Sequence, residues 1–478
     1  MKLSQLLQKC NTLSDYTDTE ISAVTDDSRR VTRGCLFVCI EGAQFDGHTA
    51  AADAVAAGAA AVAVQRDTGV ENQVLVEDTR QAYSLICSAF FGNPADKLKI
   101  IGVTGTNGKT TTVFLLRDIL ESAGKIVGLI GTVKSSIAGK DFESNLTTPD
   151  PFELHGLFAK MVAADCEYCV MEVSSQALAQ KRVAGISFEA AIFTNLSREH
   201  LDYHGDYESY KAAKRLLFEQ TSFAVINLDD DVAEYMMSGI ACPQVTFSVK
   251  TDASDYTAKN IRLKPSGAEY ELVGKGVIGR VRLSVPGIFS VYNSMGAAVC
   301  AVELGIPFDC VLEAIAASPG VPGRLEVVPT DKDYTVIIDY AHTPDGLENI
   351  LHALREITQG RLITVFGCGG DRDKTKRPLM GEIAERLSDI VVITSDNPRT
   401  EDPAEIIDDI LRGLGKVGKN VVVEENRTLA IEKALGLAAK GDIVVLAGKG
   451  HETYQILKTG KIHYDEREVI ARILAGMA

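Results

Sequence analysis

The run Gly105-Thr106-Asn107-Gly108-Lys109-Thr110-Thr111 follows an apolar stretch, Ile100–Val103, and opens a helical pattern. Glycines there let backbone N–H groups turn toward an anion, a helix start adds its positive dipole end, and Lys109 supplies a point charge. This is the chemistry of a phosphate cradle, with Thr110 placed to hold a magnesium ion. Val113, Leu116 and Leu120 share one side of the helix, and Gly124 ends it. The usual phosphate-loop pattern has glycine where this chain has Val103, so the loop is a variant.

Further polar groups follow other apolar runs. Met171-Glu172-Val173-Ser174-Ser175 sets a carboxylate and hydroxyls at a strand end, suited to a second magnesium contact and to substrate oxygens. Ser174 or Ser175 serves equally well as a helix cap. His200, in Glu199-His200-Leu201-Asp202-Tyr203-His204, is either a metal ligand or a hydrogen-bonded bystander. Lys214 reads as a helix residue without a catalytic role, because an ammonium has no lone pair for a metal.

The elements that must carry these groups are of α/β type. At 478 residues the chain exceeds one core and suggests about three domains. Residues 1–95 combine short helices with the strands Gly34–Ile40 and Ala60–Val64, and form a small α/β unit. Residues 96–322 hold the phosphate loop, buried strands at Tyr168–Val173, Ala190–Asn195 and Ala224–Asn227, a β-rich part over 244–286, and then an Ala-rich helix. From 323 to 478, apolar runs at Val336–Asp339, Leu362–Phe366, Ile390–Thr394, Val421–Glu424 and Ile443–Leu446 alternate with helical patterns. That alternation predicts a mostly parallel sheet covered on both faces, with ligands at the carboxyl ends of its strands.

Composition excludes several classes. With 49 basic against 65 acidic residues the net charge is −16, which argues against a nucleic-acid surface. Met1-Lys2-Leu3-Ser4-Gln5 opens a polar amphipathic helix instead of a signal peptide, and the apolar run Ala54–Val64 is far short of the ~20 residues of a membrane span. Cys35, Cys39, Cys87 and Cys300 read as reduced cysteines in apolar strands, as expected in the cytoplasm; Cys166 and Cys169 lack a second pair at zinc spacing.

Taken together, Gly-Thr-Asn-Gly-Lys-Thr at 105–110, Glu-Val-Ser-Ser at 172–175, Glu-His-Leu-Asp-Tyr-His at 199–204, Tyr-Asn at 292–293, Gly-Arg at 323–324 and Asp-Tyr-Ala-His at 339–342 resemble the Mur ligases. The resemblance spans the chain in order. It implies a uridine-nucleotide domain, a central ATP-binding domain and a Rossmann-like C-terminal domain, acting in peptidoglycan precursor synthesis. Asp-Asn-Pro-Arg at 396–399 and Gly-Lys-Gly-His-Glu at 448–452 are similar to the branch that adds meso-diaminopimelate to UDP-N-acetylmuramoyl-L-alanyl-D-glutamate.

The implied roles follow the motifs. ATP is expected on residues 105–111 with Asn293, Arg324 and Asp339, and two magnesium ions on Thr110, Glu172, His200 and Lys214. In the family the lysine matching Lys214 is carbamylated with carbon dioxide, which converts a cation into a carboxylate-like ligand. The muramoyl substrate is expected on Ser28, Ala43, Gln44 and Phe45 of the first domain and on Thr147, Thr148, Ser174, Gln180 and Arg182. Leu146 and Gln176 depart from the asparagine and histidine common at their positions. Diaminopimelate is expected on Arg372, Asp396, Asn397, Pro398, Arg399, Gly448 and Glu452, although Asp396-Asn397-Pro398 alone passes as a turn initiator. A monomer is expected. Two other readings are a phosphate-loop binding or regulatory protein that hydrolyses ATP slowly, told apart because a ligase releases phosphate only with the nucleotide-dipeptide and the amino acid both present, and a folate–glutamate ligase, which lacks a reason to carry the first-domain and 396–399 motifs.

Overall fold

The computed structural model describes residues 1–478 apart from 43–44, 145, 198, 200, 416–419 and 477–478, and apart from the side chains of 201–202. The chain divides into two compact units, one of residues 1–257 with 295–311 and one of residues 258–294 with 312–478.

In the first unit, β1 (Ala23–Thr25), β2 (Cys35–Val38), β3 (Ala61–Val64) and β4 (Gln73–Leu75) form a parallel sheet in that order. Leu36, Val38 and Ala63 pack on the helix Thr79–Phe90 through Ala82 and Ile86, while Phe37, Val62 and Val64 cover the other face. Burial on both faces explains why β2 and β3 read as unbroken apolar runs.

The same unit contains β5 (Lys99–Thr104), β6 (Val127–Ile130), β7 (Ser135–Ile137), β8 (Lys140–Phe142), β9 (Tyr168–Glu172), β10 (Ala190–Phe193), β11 (Ala224–Asn227) and β12 (Gln244–Ser248). They lie in the order β12-β11-β10-β5-β9-β6-β7-β8, parallel except for the β6-β7-β8 edge. From β5 the chain leaves through the helix Lys109–Ser122 to one side, and later returns to β10 on the other. The phosphate loop therefore sits at a switch point of the sheet, and Val103 pairs with Glu172 on the neighbouring strand. Val103 is a fully buried strand residue, so the turn begins later, at Gly105.

The strand β13 (Tyr256–Lys264) crosses the boundary between the units, and β14 (Gly267–Gly274) and β15 (Val277–Leu283) form an antiparallel hairpin in the second. The second unit also has a six-stranded sheet of β16 (Glu326–Val328), β17 (Thr335–Asp339), β18 (Leu362–Phe366), β19 (Ile390–Ile393), β20 (Val421–Val423) and β21 (Ile443–Ala447). Its order is β16-β17-β21-β18-β19-β20, parallel except for β16. Ile337, Val445 and Ile393 face one helical layer, which includes Leu347, Leu351 and Ile410; Val336, Val444 and Val392 face Ile431, Leu435 and Ile470 on the other. Insertion of β21 between β17 and β18 makes the turns after these strands neighbours. The antiparallel β16 and the hairpin of β22 (Tyr454–Leu457) with β23 (Gly460–His463) are additions to the predicted pattern.

Not all of the cysteines lie in strands, contrary to what their apolar surroundings in the sequence suggest. Cys35 lies in β2 and Cys39 just after it, but Cys87 and Cys300 are buried in helices, where a small apolar thiol packs equally well. All ten cysteines are free. Among the described residues no helix is long and apolar enough to cross a membrane.

Candidate active site

Gly105 has φ +152°, and a Cβ there would lie 1.9 Å from Thr194 Oγ1, so only glycine lets the loop approach the end of β10. Asn195 completes that approach. Its backbone oxygen accepts the Thr106 N–H (2.8 Å), its side-chain oxygen the Asn107 N–H (2.9 Å), and its amide donates to Asn107 O (3.1 Å). Gly108, at φ +85°, immediately precedes the helix, and Thr110 is buried in its first turn while Thr111 is half-buried.

Two amines meet at this loop. Lys109 Nζ donates to Gly105 O (2.8 Å) and Thr106 O (2.7 Å), and Lys214 Nζ donates to the same Gly105 O (2.8 Å). Lys214 is 1% exposed and lies over the Tyr210 ring. Burial, and then the charge of Lys109, push its amine well below the ordinary lysine range, with Glu199 opposing. The lysine to which residue chemistry alone gave no role is thus a buried amine beside the phosphate loop.

Glu172 is buried at the end of β9. Its Oε1 accepts from Thr110 Oγ1 (3.0 Å) and Thr132 N (2.8 Å), and its Oε2 from Thr132 Oγ1 (3.1 Å). Thr132 also bonds to Thr147 Oγ1 (3.0 Å). Sequence reasoning missed Thr132 and Asn195; the available signal was a polar residue just past an apolar strand.

A chain of bonds ties this carboxylate to the other expected substrate residues. Thr148 Oγ1 donates to Glu172 O (2.8 Å) and accepts from Ser174 N (3.0 Å); Arg182 donates to Thr148 O (2.8 Å) and to Gln180 Oε1 (2.6 and 2.9 Å). Ser174 does cap a helix, accepting from Ala177 N. Lys109, Lys214, Thr147, Thr148, Ser174 and Arg182 all line one cavity of about 140 Å³. On the first sheet's side, Ser28 is half-buried in a turn capped by Asp27, and Phe45 is 57% exposed. Ala43, Gln44 and His200 lie outside the described residues.

The second unit carries its own cluster. Asp339, ending β17, accepts the N–H groups of Leu325 and Ala341 (2.8 Å each), which folds the turn bearing Arg324 against the strand. Burial raises the Asp339 carboxyl above its usual range, with Arg324 and these two bonds pulling down. The Arg324 guanidinium lies 4.9 Å from the Tyr340 ring, which is flanked by His342 and His451. Asn293 is buried in the helix Ile288–Glu303.

Turns after β18, β19 and β21 hold the remaining residues. Asp396, Asn397, Pro398 and Gly448 are buried, Arg399 and Glu452 half-buried, and Arg372 exposed. Asn397 donates to Glu452 Oε2 (2.9 Å) and accepts from Ile456 N (2.9 Å) and from the fully buried Lys449 (3.2 Å), which also donates to Glu452 (3.0 Å). Lys449 stood inside a noted motif yet was not singled out. Arg399 Nη1 donates to Gly370 O (2.6 Å); a Cβ on Gly369 would meet Arg399 Nη1 at 2.9 Å and Arg372 Cγ at 3.9 Å, so that one turn separates the two arginines.

Comparison with known proteins agrees along the whole chain. The profile "Mur ligase family, catalytic domain" matches residues 20–95, "Mur ligase middle domain" 103–301, and "Mur ligase, glutamate ligase domain" 323–450. The UDP-N-acetylmuramoyl-L-alanyl-D-glutamate--2,6-diaminopimelate ligase of Clostridium perfringens is 48% identical, over 96% of each chain. A solved structure bearing the same enzyme name superposes with TM-score 0.76 at 32% identity, over 100% of this chain and 99% of that one. The MurF ligase of Thermotoga maritima in complex with ADP shares the fold at TM-score 0.60 and 21% identity, covering 96% and 99%. Its three matched regions and these near full-length relatives show that the chain belongs to the Mur ligase family.

Proposed function

We propose that this chain is an ATP-dependent ligase of peptidoglycan precursor synthesis, joining meso-diaminopimelate to the D-Glu γ-carboxylate of UDP-N-acetylmuramoyl-L-alanyl-D-glutamate. The full-length relatives bear the name of that reaction. The observation that carries the reading is the cavity in which Lys109 and Lys214 meet Thr147, Thr148, Ser174 and Arg182. It sets the phosphate cradle against hydroxyls and a guanidinium suited to an anionic substrate.

A carboxylate is a poor electrophile. Its oxygen attacks the γ-phosphorus of ATP, ADP leaves, and the resulting acyl phosphate accepts the neutral diaminopimelate amine at carbon, the nitrogen losing a proton to solvent as phosphate departs. Lys109 and the loop N–H groups stabilise charge on the transferring phosphoryl group. Thr110 and Glu172 supply neighbouring buried oxygens that fit magnesium and would hold it, and His200 and a carbamate on Lys214 would be the further ligands. Bound magnesium would neutralise phosphate charge. The depressed Lys214 amine suits carbamylation, since only a neutral amine adds to carbon dioxide, losing a proton as it does so.

At the second site, Arg399 grips the distal carboxylate of diaminopimelate, with Arg372 as a second cation and Asp396, Gly448 and Glu452 for the distal ammonium. Ser28, Ala43, Gln44, Phe45, Gln180 and Arg182 hold the muramoyl substrate, and Asn293, Arg324 and Asp339 the nucleotide. We take the enzyme to be a cytoplasmic monomer. The test is phosphate release together with product mass. Both should require ATP, the UDP-muramoyl dipeptide and diaminopimelate together; ATP hydrolysis indifferent to both co-substrates would overturn the reading.

A further inference from the structure

Beneath the two arginines of the second site lies an ion pair that contributes no expected substrate contact. Arg377 is fully buried in the first turn of the helix Lys376–Leu387. Its guanidinium grips Glu401 through two bonds (Nη1 to Oε2, 3.0 Å; Nη2 to Oε1, 2.9 Å) and Asp409 through a third (2.9 Å). Arg377 and Lys374 hold the Glu401 carboxyl down at about 2, so it is a fixed charge at working pH.

Glu401 reaches onward. Its Oε1 accepts the Asp371 N–H (2.6 Å), and the Asp371 carboxylate accepts the hydroxyl (2.6 Å) and N–H (3.3 Å) of Thr400. The Gly370 N–H donates to Asn397 O (2.9 Å), and Arg399 closes the lattice on Gly370 O (2.6 Å). Asp371 and Arg399 both have φ +54°. Left-handed backbone at non-glycine residues persists where surrounding structure over-determines it. The turn bearing Arg372 and the turn bearing Arg399 are thus locked to each other, and both are referred to one buried guanidinium. Replacing such a buried pair by packed apolar side chains is often neutral or stabilising, so stability alone is a weak reason for it.

We infer that the Arg377–Glu401 pair is a positioning device for amino-acid selection, fixing through Asp371 and Thr400 the separation of Arg372 and Arg399. This rests on the reading of that site as the diaminopimelate end. Neither residue touches substrate; they act through the turns.

The test compares wild type, Glu401→Gln and Thr400→Val in steady-state ligation, varying each substrate in turn, with thermal unfolding in parallel. Glu401→Gln keeps shape but loses the charge-assisted bonds, and should raise KM for diaminopimelate by about tenfold or more while kcat stays within about twofold. KM for ATP and for the UDP-muramoyl dipeptide should not move. Thr400→Val removes only an exposed hydroxyl bonded to Asp371, and should raise the same KM by about threefold with an unchanged melting temperature, which keeps the inference testable if Glu401→Gln fails to fold. An unchanged KM for diaminopimelate in Thr400→Val, or a loss shared by all three substrates, would overturn the inference while wild-type ligation leaves the ligase reading intact. Absence of ligation by wild type would overturn both.

Discussion

Two lysines are buried to the same degree in the two units, and their surroundings differ in sign. Lys214, 1% exposed, has a backbone oxygen, a tyrosine ring and a second lysine as its neighbours, and the charge of Glu199 opposes that lysine only in part. Lys449, 0% exposed, has the Glu452 carboxylate at 3.0 Å and the Asn397 oxygen at 3.2 Å. An amine buried beside a cation is pushed toward its neutral, nucleophilic form, whereas one buried beside a carboxylate forms a pair that holds neighbouring groups in place. The first arrangement costs stability and supplies reactivity; the second fixes a pocket.

The pocket half of that contrast predicts the largest effect. L-lysine lacks the distal carboxylate of diaminopimelate and would leave Arg399 without its partner. Sites built to bind a polar group reject analogues lacking it by about 10⁴-fold or more. Side-by-side kcat/KM values with the two amino acids measure this, and comparable values would break the assignment of Arg399. In Arg399→Ala, KM for diaminopimelate should rise strongly.

The reactive half is tested next. Lys109→Ala should lower kcat by about 10³-fold, as expected for a contact strengthened in the transition state, while the circular dichroism spectrum and melting stay near wild type. Lys214→Arg should fail as well, because a guanidinium stays cationic and forms no carbamate. Labelled ¹³C-bicarbonate should give a carbamate resonance in wild type and none in that variant. An active arginine enzyme would reduce Lys214 to a packing residue.

Third, Lys449→Met should destabilise the protein by about 3 kcal/mol, the lower end expected when one partner of a buried pair is removed, because Glu452 is left without its countercharge. Chemical denaturation measures it. A midpoint equal to wild type would show that Glu452 finds water or another donor, and that Lys449 does not hold the pocket.

The sequence made these halves legible to different degrees. The phosphate cradle is contiguous, so glycines, lysine and threonine at 105–111 announce it; Val103 departs from the usual pattern because the strand extends to Thr104 before the turn begins. Parallel strands buried on both faces declared themselves as apolar runs, and the polar clusters at their ends pointed to ligand turns. Partners supplied by tertiary proximity left little trace. Thr110 meets Glu172 across 62 positions and Lys214 meets Gly105 across 109, and no local pattern encodes either distance. Thr132, Arg377 and Glu401 passed as ordinary polar residues for the same reason, and Asn195 and Lys449, although inside polar runs, gave no sign of their partners. The strands β16 and β22 are short and mostly half-buried and β23 is exposed throughout, so their patterns are weak.

The smallest effect probes what the burial of Lys214 costs. Lys214→Met fills similar volume without an amine, and should raise stability by about 1 kcal/mol near neutral pH even as it removes activity, a trade seen where sites are held in unfavourable states. Its pH dependence has a definite sign. With its folded value depressed, wild-type Lys214 binds fewer protons folded than unfolded at pH values between that depressed value and the ordinary ~10.4, so wild-type stability rises with pH across this window and is lost as pH falls through it. The methionine variant has no such slope. In carbon-dioxide-free buffer its advantage should therefore be greatest on the acid side of the window, fall by up to about 1.4 kcal/mol per pH unit, and reverse before pH ~10, where the unfolded lysine is also losing its proton. Denaturation midpoints of the two proteins between neutrality and pH ~10 measure the gap. A gap constant with pH would mean that the folded protein keeps Lys214 charged, and that its proximity to Lys109 does not prepare it for carbamylation.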